Sequence, residues 1–243
     1  KPQNTGKADQ LLKVEAITGG NLLTTVSLGE ILQKAGQKLF VYSSGSTGQA
    51  LLQNHKVNGA VINPDMILPA SFRPEIIAKL GEPPADAAPN IGRHTWITDA
   101  LCLYTLQDNA PMVSAIWFSD PDATAHEFGI GVPLANESLK MVDTQFGRIL
   151  DTMKVRGLDQ SFNILVSTDH GFITYTGSES IVDFLVKQGL KQSAASADVV
   201  VAGSGIYVKK RDTTLIRKIV AALQKQEWAG GLFTRAVTPG SPK

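Results

Sequence analysis

Two short stretches of this 243-residue sequence set carboxylates beside imidazoles, the residue types that hold divalent metal ions. Asp122-Ala-Thr-Ala-His126 offers a carboxylate oxygen and an imidazole nitrogen four residues apart, a spacing that one helical turn or a tight loop can aim at a single ion. Asp169-His170 is adjacent, and in a loop its side chains can reconverge on one metal or feed two neighbouring ones. The chemistry such a set supports is metal-assisted hydrolysis, in which the ions neutralise charge on oxygen and activate an attacking group. One such spacing arises readily by chance among four histidines, and alone Asp169 would read as a turn cap and His170 as a surface imidazole. Placement tips the balance toward ligands. Both groups follow directly on apolar runs, Met112 to Phe118 and Asn163 to Ser167, of the kind expected for strands buried in a parallel sheet.

Other polar residues fit chemistry less well. His126-Glu127 would begin a zinc-protease helix only if a histidine stood at position 130, which is Ile130. The Ser43-Ser44-Gly45-Ser46-Thr47-Gly48 loop could cradle a phosphate on backbone amides. It lacks the P-loop lysine and the nucleophile-elbow spacing, so it reads as a tight connection. His55 and His94, near helix ends with no adjacent acid, read as surface or capping residues. Asp120 could orient a ligand residue or simply cap a turn. Trp117 and Phe118 read as strand core. The single cysteine, Cys102, sits in an apolar helical pattern, which predicts a packed side chain rather than a nucleophile.

The elements that must position these groups alternate. Ser27 and Glu30 have capping-box spacing before a helix at about 28–36, stopped by Gly36. A strand at 39–42, a helix carrying Ala50 to Leu52, and a strand at 60–62 follow. Residues 81–90, with three prolines and no apolar period, predict a loop or lid. Helices at about 92–108 and 134–155 flank the 112–118 strand. Beyond 163–167 come a helix at 180–189, a strand pair around 199–202 and 206–209, a helix at 213–226 and a last strand near 232–234. The pattern predicts one α/β domain over residues 1–243, a mostly parallel sheet with helices on both faces and its site beyond the carboxyl ends of the strands. Lys and Arg number 23 against 22 Asp and Glu, unclustered, which argues against a nucleic-acid track and favours small-molecule partners. No stretch approaches the roughly 20 apolar residues of a transmembrane helix.

Ser119-Asp120-Pro121-Asp122-Ala-Thr-Ala-His126-Glu127-Phe128-Gly129 and Val166-Ser167-Thr168-Asp169-His170-Gly171 resemble, in order and separation, motifs of the type I phosphodiesterase / nucleotide pyrophosphatase family of the alkaline phosphatase superfamily. The stretch Thr25 to Ser46 is similar to the segment that follows the nucleophile region there, so the resemblance covers most of the chain. It implies an α/β/α sandwich, two divalent metal ions (usually Zn2+), a Thr or Ser nucleophile, and a small phosphate ester or nucleotide as substrate. Carried across, Asp122 and His126 would bind one ion and Asp169 and His170 the other. The family's N-terminal Asp, its nucleophile and its last His have no counterpart here. They are expected before Lys1 and after Lys243, with both ends read as cuts and the 243 residues alone inactive. Phosphonate hydrolysis, phosphomonoester hydrolysis and phosphomutase chemistry remain alternatives, as does a noncatalytic interaction domain. A periplasmic or secreted location follows only from the tendency of the family.

Overall fold

The computed structural model describes residues 3–174 and 177–234, and within them the chain forms two units, Gln3–Thr174 and a second described from residue 177 onward. The first unit runs α1 (Ala8–Ile17), α2 (Leu28–Lys34), β1 (Leu39–Ser43), α3 (Thr47–Gln53), β2 (Gly59–Asn63), β3 (Met66–Leu68), α4 (Arg73–Leu80), α5 (Ile91–Tyr104), β4 (Val113–Trp117), α6 (Asp122–Phe128) and α7 (Pro133–Val155). Its strands form one sheet in the order β3-β2-β1-β4. β1 pairs in parallel with β2 and β4, and only β3 runs antiparallel, as expected of a mostly parallel α/β sheet.

Side chains on a strand alternate between faces, and here both faces are covered. Leu39, Val41 and Val61 pack with Leu32 of α2 and Ala50 of α3. Tyr42, Ala60 and Ile62 point the other way, into a larger core with Ile76 of α4, Trp96, Ile97 and Leu101 of α5, and Ile149 and Met153 of α7. Each large apolar side chain buried in this way contributes roughly 1.5–3 kcal/mol. The helix starts are local chemistry. Ser27 and Glu30 form the reciprocal capping box, and the Ser46 hydroxyl accepts the Gln49 amide at the head of α3. Gly48 is required there, because a Cβ at that position would lie 1.9 Å from the Thr5 carbonyl oxygen.

Three expectations for the first unit need correction. The helix predicted to reach residue 108 stops at Tyr104, where the Thr105 hydroxyl bonds to Tyr42 and Ser114. β4 is half-buried along its whole length rather than buried on both faces, because it is the outermost strand of the sheet among the described residues. The run 163–167 forms no strand: Leu165 is 96% and Val166 79% exposed. An apolar sequence becomes a strand only where a neighbouring strand takes its backbone hydrogen bonds, and this run pairs with none of the described residues.

The second unit contains α8 (Ile181–Lys187), β5 (Val199–Ala202), β6 (Gly205–Val208) and α9 (Thr213–Leu223). β5 and β6 form an antiparallel hairpin, and Val199 packs with Phe184, Leu185, Ile219 and Leu223. No strand forms at 232–234, where Phe233 is exposed.

Candidate metal centre

The seven residues of α6 begin a few residues after the carboxyl end of β4 and carry Asp122 in the first turn and His126 in the last. At i and i+4 the two side chains share one helix face, and the His126 Nε2 lies 3.3 Å from Asp122 Oδ1. His170 comes from the irregular segment after residue 167, with its Nε2 3.2 Å from the same oxygen. Ligand atoms of Asp122, His126 and His170 all lie within 4.8 Å of one another. Asp169 stands at the edge of this group: its Oδ1 accepts the His170 amide, and its Oδ2 is 3.7 Å from His170 Nε2. The geometry thus gathers three of the four residues expected as ligands and leaves the fourth beside them.

Two observations show that this set suits a metal ion. Asp122 Oδ1 is buried and receives no hydrogen bond, although two imidazole nitrogens face it. A buried oxygen left unsatisfied is costly unless a cation or donor completes it. Its 3.2–3.3 Å separations match the ~3.3 Å between two ligands at ~2.0–2.1 Å from a tetrahedral zinc. The His170 Nδ1 lies 3.0 Å from the Gly171 carbonyl oxygen, which can only accept, so Nδ1 carries the proton and Nε2 is the atom turned to the cluster. That hydrogen bond, with the charges of Asp169 and Asp122, raises the His170 pKa above its ordinary value. Phe172 packs edge-on against both imidazoles, 4.8 Å from His126 and 5.2 Å from His170. It limits how the two rings can turn, and no spacing rule singled it out.

Behind the cluster lies a second Asp/His group that corrects the reading of His94. This imidazole is fully buried, in T-shaped contact with Phe118, and its Nε2 donates to Asp120 Oδ2 at 3.0 Å. Asp120 accepts three more hydrogen bonds, from the Asn90 amide (2.7 Å) and from the Thr124 amide (3.1 Å) and hydroxyl (2.6 Å). Burial pushes the Asp120 carboxyl up, but these donors outweigh it and hold the pKa at about 2. On the other side of the ring, Ser44 Oγ lies 3.1 Å from His94 Nδ1 and accepts the Ser119 amide. The acid missing from the sequence neighbourhood of His94, Asp120, comes from 26 residues along the chain. The signal that could have found it is its place on the buried face of α5, with Ile97, Thr98 and Leu101.

His55 is corrected likewise. It is buried, with Nε2 3.4 Å from Glu30 and Nδ1 3.8 Å from Glu15. The Ser/Gly loop after β1 is a structural connection, with the Asn63 amide donating to the carbonyls of Ser43 and Gly45. Segment 81–90 has no regular element, yet Arg93 holds the Pro84 carbonyl while bonding Asp65 through both terminal nitrogens. Cys102 is half-buried against the core, and burial pushes its thiol up, away from nucleophilic character. Among the described residues no helix is long and apolar enough to cross a membrane.

Residues 50–229 match the family described as type I phosphodiesterase / nucleotide pyrophosphatase. The chain is similar to ectonucleotide pyrophosphatase/phosphodiesterase family member 7 of Mus musculus, 29% identical over 87 residues, or 35% of this chain and 20% of the relative. It is also similar to a venom phosphodiesterase of Naja atra, 29% identical over 97 residues, covering 37% of this chain and 12% of that protein. A bis(5'-adenosyl)-triphosphatase of Bos taurus is 29% identical over 82 residues, covering 32% and 16%. The matched stretch thus spans a fifth or less of each relative's length. No solved structure matches. With about three quarters of its length inside the family match, and the two Asp/His motifs within it, the chain belongs to the type I phosphodiesterase / nucleotide pyrophosphatase family.

Proposed function

We propose that this chain is the metal-binding part of a hydrolase of phosphodiester or nucleotide pyrophosphate bonds. Asp122, His126, Asp169 and His170 act as ligands to two divalent ions, Zn2+, and no Thr or Ser of these 243 residues stands in the family's nucleophile motif. The observation that carries the reading is Asp122 Oδ1, buried, free of hydrogen bonds and faced by His126 and His170 at 3.2–3.3 Å. When bound, the ions would neutralise phosphoryl oxygens and stabilise the attacking and leaving groups. The chain's own residues prepare that site. α6 sets Asp122 and His126 on one face, and the Gly171 carbonyl fixes which nitrogen His170 presents. Asp169 accepts the His170 amide through Oδ1, and its Oδ2 lies 3.7 Å from the His170 Nε2 that faces the cluster. The names of the relatives point to small phosphodiesters and nucleotides as the substrate class.

The test uses the chain within its full-length protein and bis(p-nitrophenyl) phosphate as substrate. Hydrolysis should disappear on chelation, return with Zn2+, and be absent in Asp122→Ala and His126→Ala proteins of unchanged circular dichroism. Turnover that survives either substitution would overturn the assignment.

A further inference from the structure

We infer that the buried His94–Asp120 pair is the positioning device of the metal centre, holding α6 so that Asp122 and His126 keep the separation an ion requires. This rests on the metal reading above. Asp120 gathers donors from three places in the chain: the Asn90 amide just before α5, His94 within α5, and the amide and hydroxyl of Thr124 within α6. Asp120, His94 and Thr124 are each no more than 3% exposed. Ser44, at the end of β1, accepts the Ser119 amide and meets the far nitrogen of His94, so the sheet, α5 and the start of α6 are joined through one imidazole.

Starting a short helix needs far less than this. The same chain caps α3 with Ser46, α8 with Ser180 and α9 with Asp212, each through exposed side-chain acceptors. Burying a carboxylate costs free energy that only complete hydrogen bonding offsets. Spending four donors on Asp120, two residues before a metal-facing carboxylate, makes sense where the position of the next turn matters to a few tenths of an ångström. Metal ligands are such a case, and partners behind the ligands set affinity by about 10–100-fold. His94 and Asp120 touch no reacting atom and are positioning residues.

The experiment titrates the same full-length protein with Co2+, read by its visible absorption and by competition with Zn2+. Thermal unfolding is followed in parallel. His94→Ala should weaken Co2+ binding about 10-fold or more and change the intensity of the cobalt bands, with His94→Gln, which retains a donor, recovering part of the loss. Thr124→Val, nearly isosteric, removes one Asp120 donor without emptying the core and should weaken binding in the same direction. It decides the matter if His94→Ala does not fold. Variants that lower the unfolding temperature but bind Co2+ within about twofold of wild type with an unchanged spectrum would overturn the inference while leaving the metal reading intact. A wild-type chain that takes up no Co2+ would overturn both.

Discussion

Asp120 and Asp122 stand two residues apart, each facing imidazole, and the fold treats them in opposite ways. Around Asp120 every oxygen is matched: four donors converge on the carboxylate, and both nitrogens of His94 have partners. Around Asp122 the side chains of His126 and His170 are 63% and 45% exposed, and the oxygen they share is left without a hydrogen bond. Residue type does not separate a structural pair from a site. Satisfaction does: a complete set of hydrogen bonds stabilises the fold, and an incomplete set aimed at one point leaves room for a ligand.

The contrast should appear first in stability, as the largest effect. Asp120→Ala strands the Asn90 and Thr124 amides and the His94 ring in the interior, and urea denaturation should show a loss of about 3–5 kcal/mol. Asp122→Ala, made in the absence of metal, should change stability by less than about 0.5 kcal/mol. Equal losses at the two positions would erase the distinction.

Metal affinity should reverse the ranking. In structural zinc sites about 10–16 kcal/mol of binding comes from four ligands to one ion, about 3 kcal/mol for each, and a ligand lost here should cost about as much. Asp122→Ala or His170→Ala should therefore weaken Zn2+ binding by about 100-fold, read by competition with a chromophoric chelator. Affinity within about threefold of wild type in both would remove the metal from the argument.

Acid sharpens the comparison further. The Asp120 pKa is about 2, below its ordinary value of 3.8. A depressed folded value means that the carboxylate stabilises the fold fully above about pH 4 and loses that contribution as the pH falls toward 2. The lost stabilisation is about 2 kcal/mol. Asp120→Asn should flatten stability across that window, and a wild-type stability that did not fall there would contradict the assignment. His170 shifts the other way. Its raised pKa extends the range over which a proton competes with metal, so Zn2+ binding should weaken as the pH falls through it.

Much of this was readable from the sequence, in proportion to how local each feature is. The capping box at Ser27, the buried apolar runs of β1 and β2, and the i, i+4 pairing of Asp122 with His126 need only neighbours in the chain. His94 and His55 were misread because their acids lie 26 and 25 residues away or more, a distance no spacing rule spans. The run 163–167 was misread for the complementary reason. Its composition suits a strand, but pairing is a tertiary property, and in the described residues no partner takes its hydrogen bonds. His170 still reaches Asp122 without that strand, because the Gly171 carbonyl and the Phe172 ring fix it locally.

The smallest predicted effect concerns Ser44, whose order of contacts, Ser44 to His94 to Asp120, is that of a serine hydrolase triad. The physical setting argues against a nucleophile. Ser44 is 3% exposed, and its oxygen accepts the Ser119 amide while lying within 3.3 Å of the Trp117 carbonyl and of Ser119 Oγ. A nucleophile needs an open approach and a lone pair free to attack. A fluorophosphonate probe should therefore leave Ser44 unlabelled under conditions in which the chain stays folded. Ser44→Ala should cost about 1 kcal/mol, the ordinary worth of a buried hydroxyl with partners. Labelling at Ser44, read by peptide mass, would turn the buried group from scaffold into reactive centre and break the contrast with Asp122 at its base.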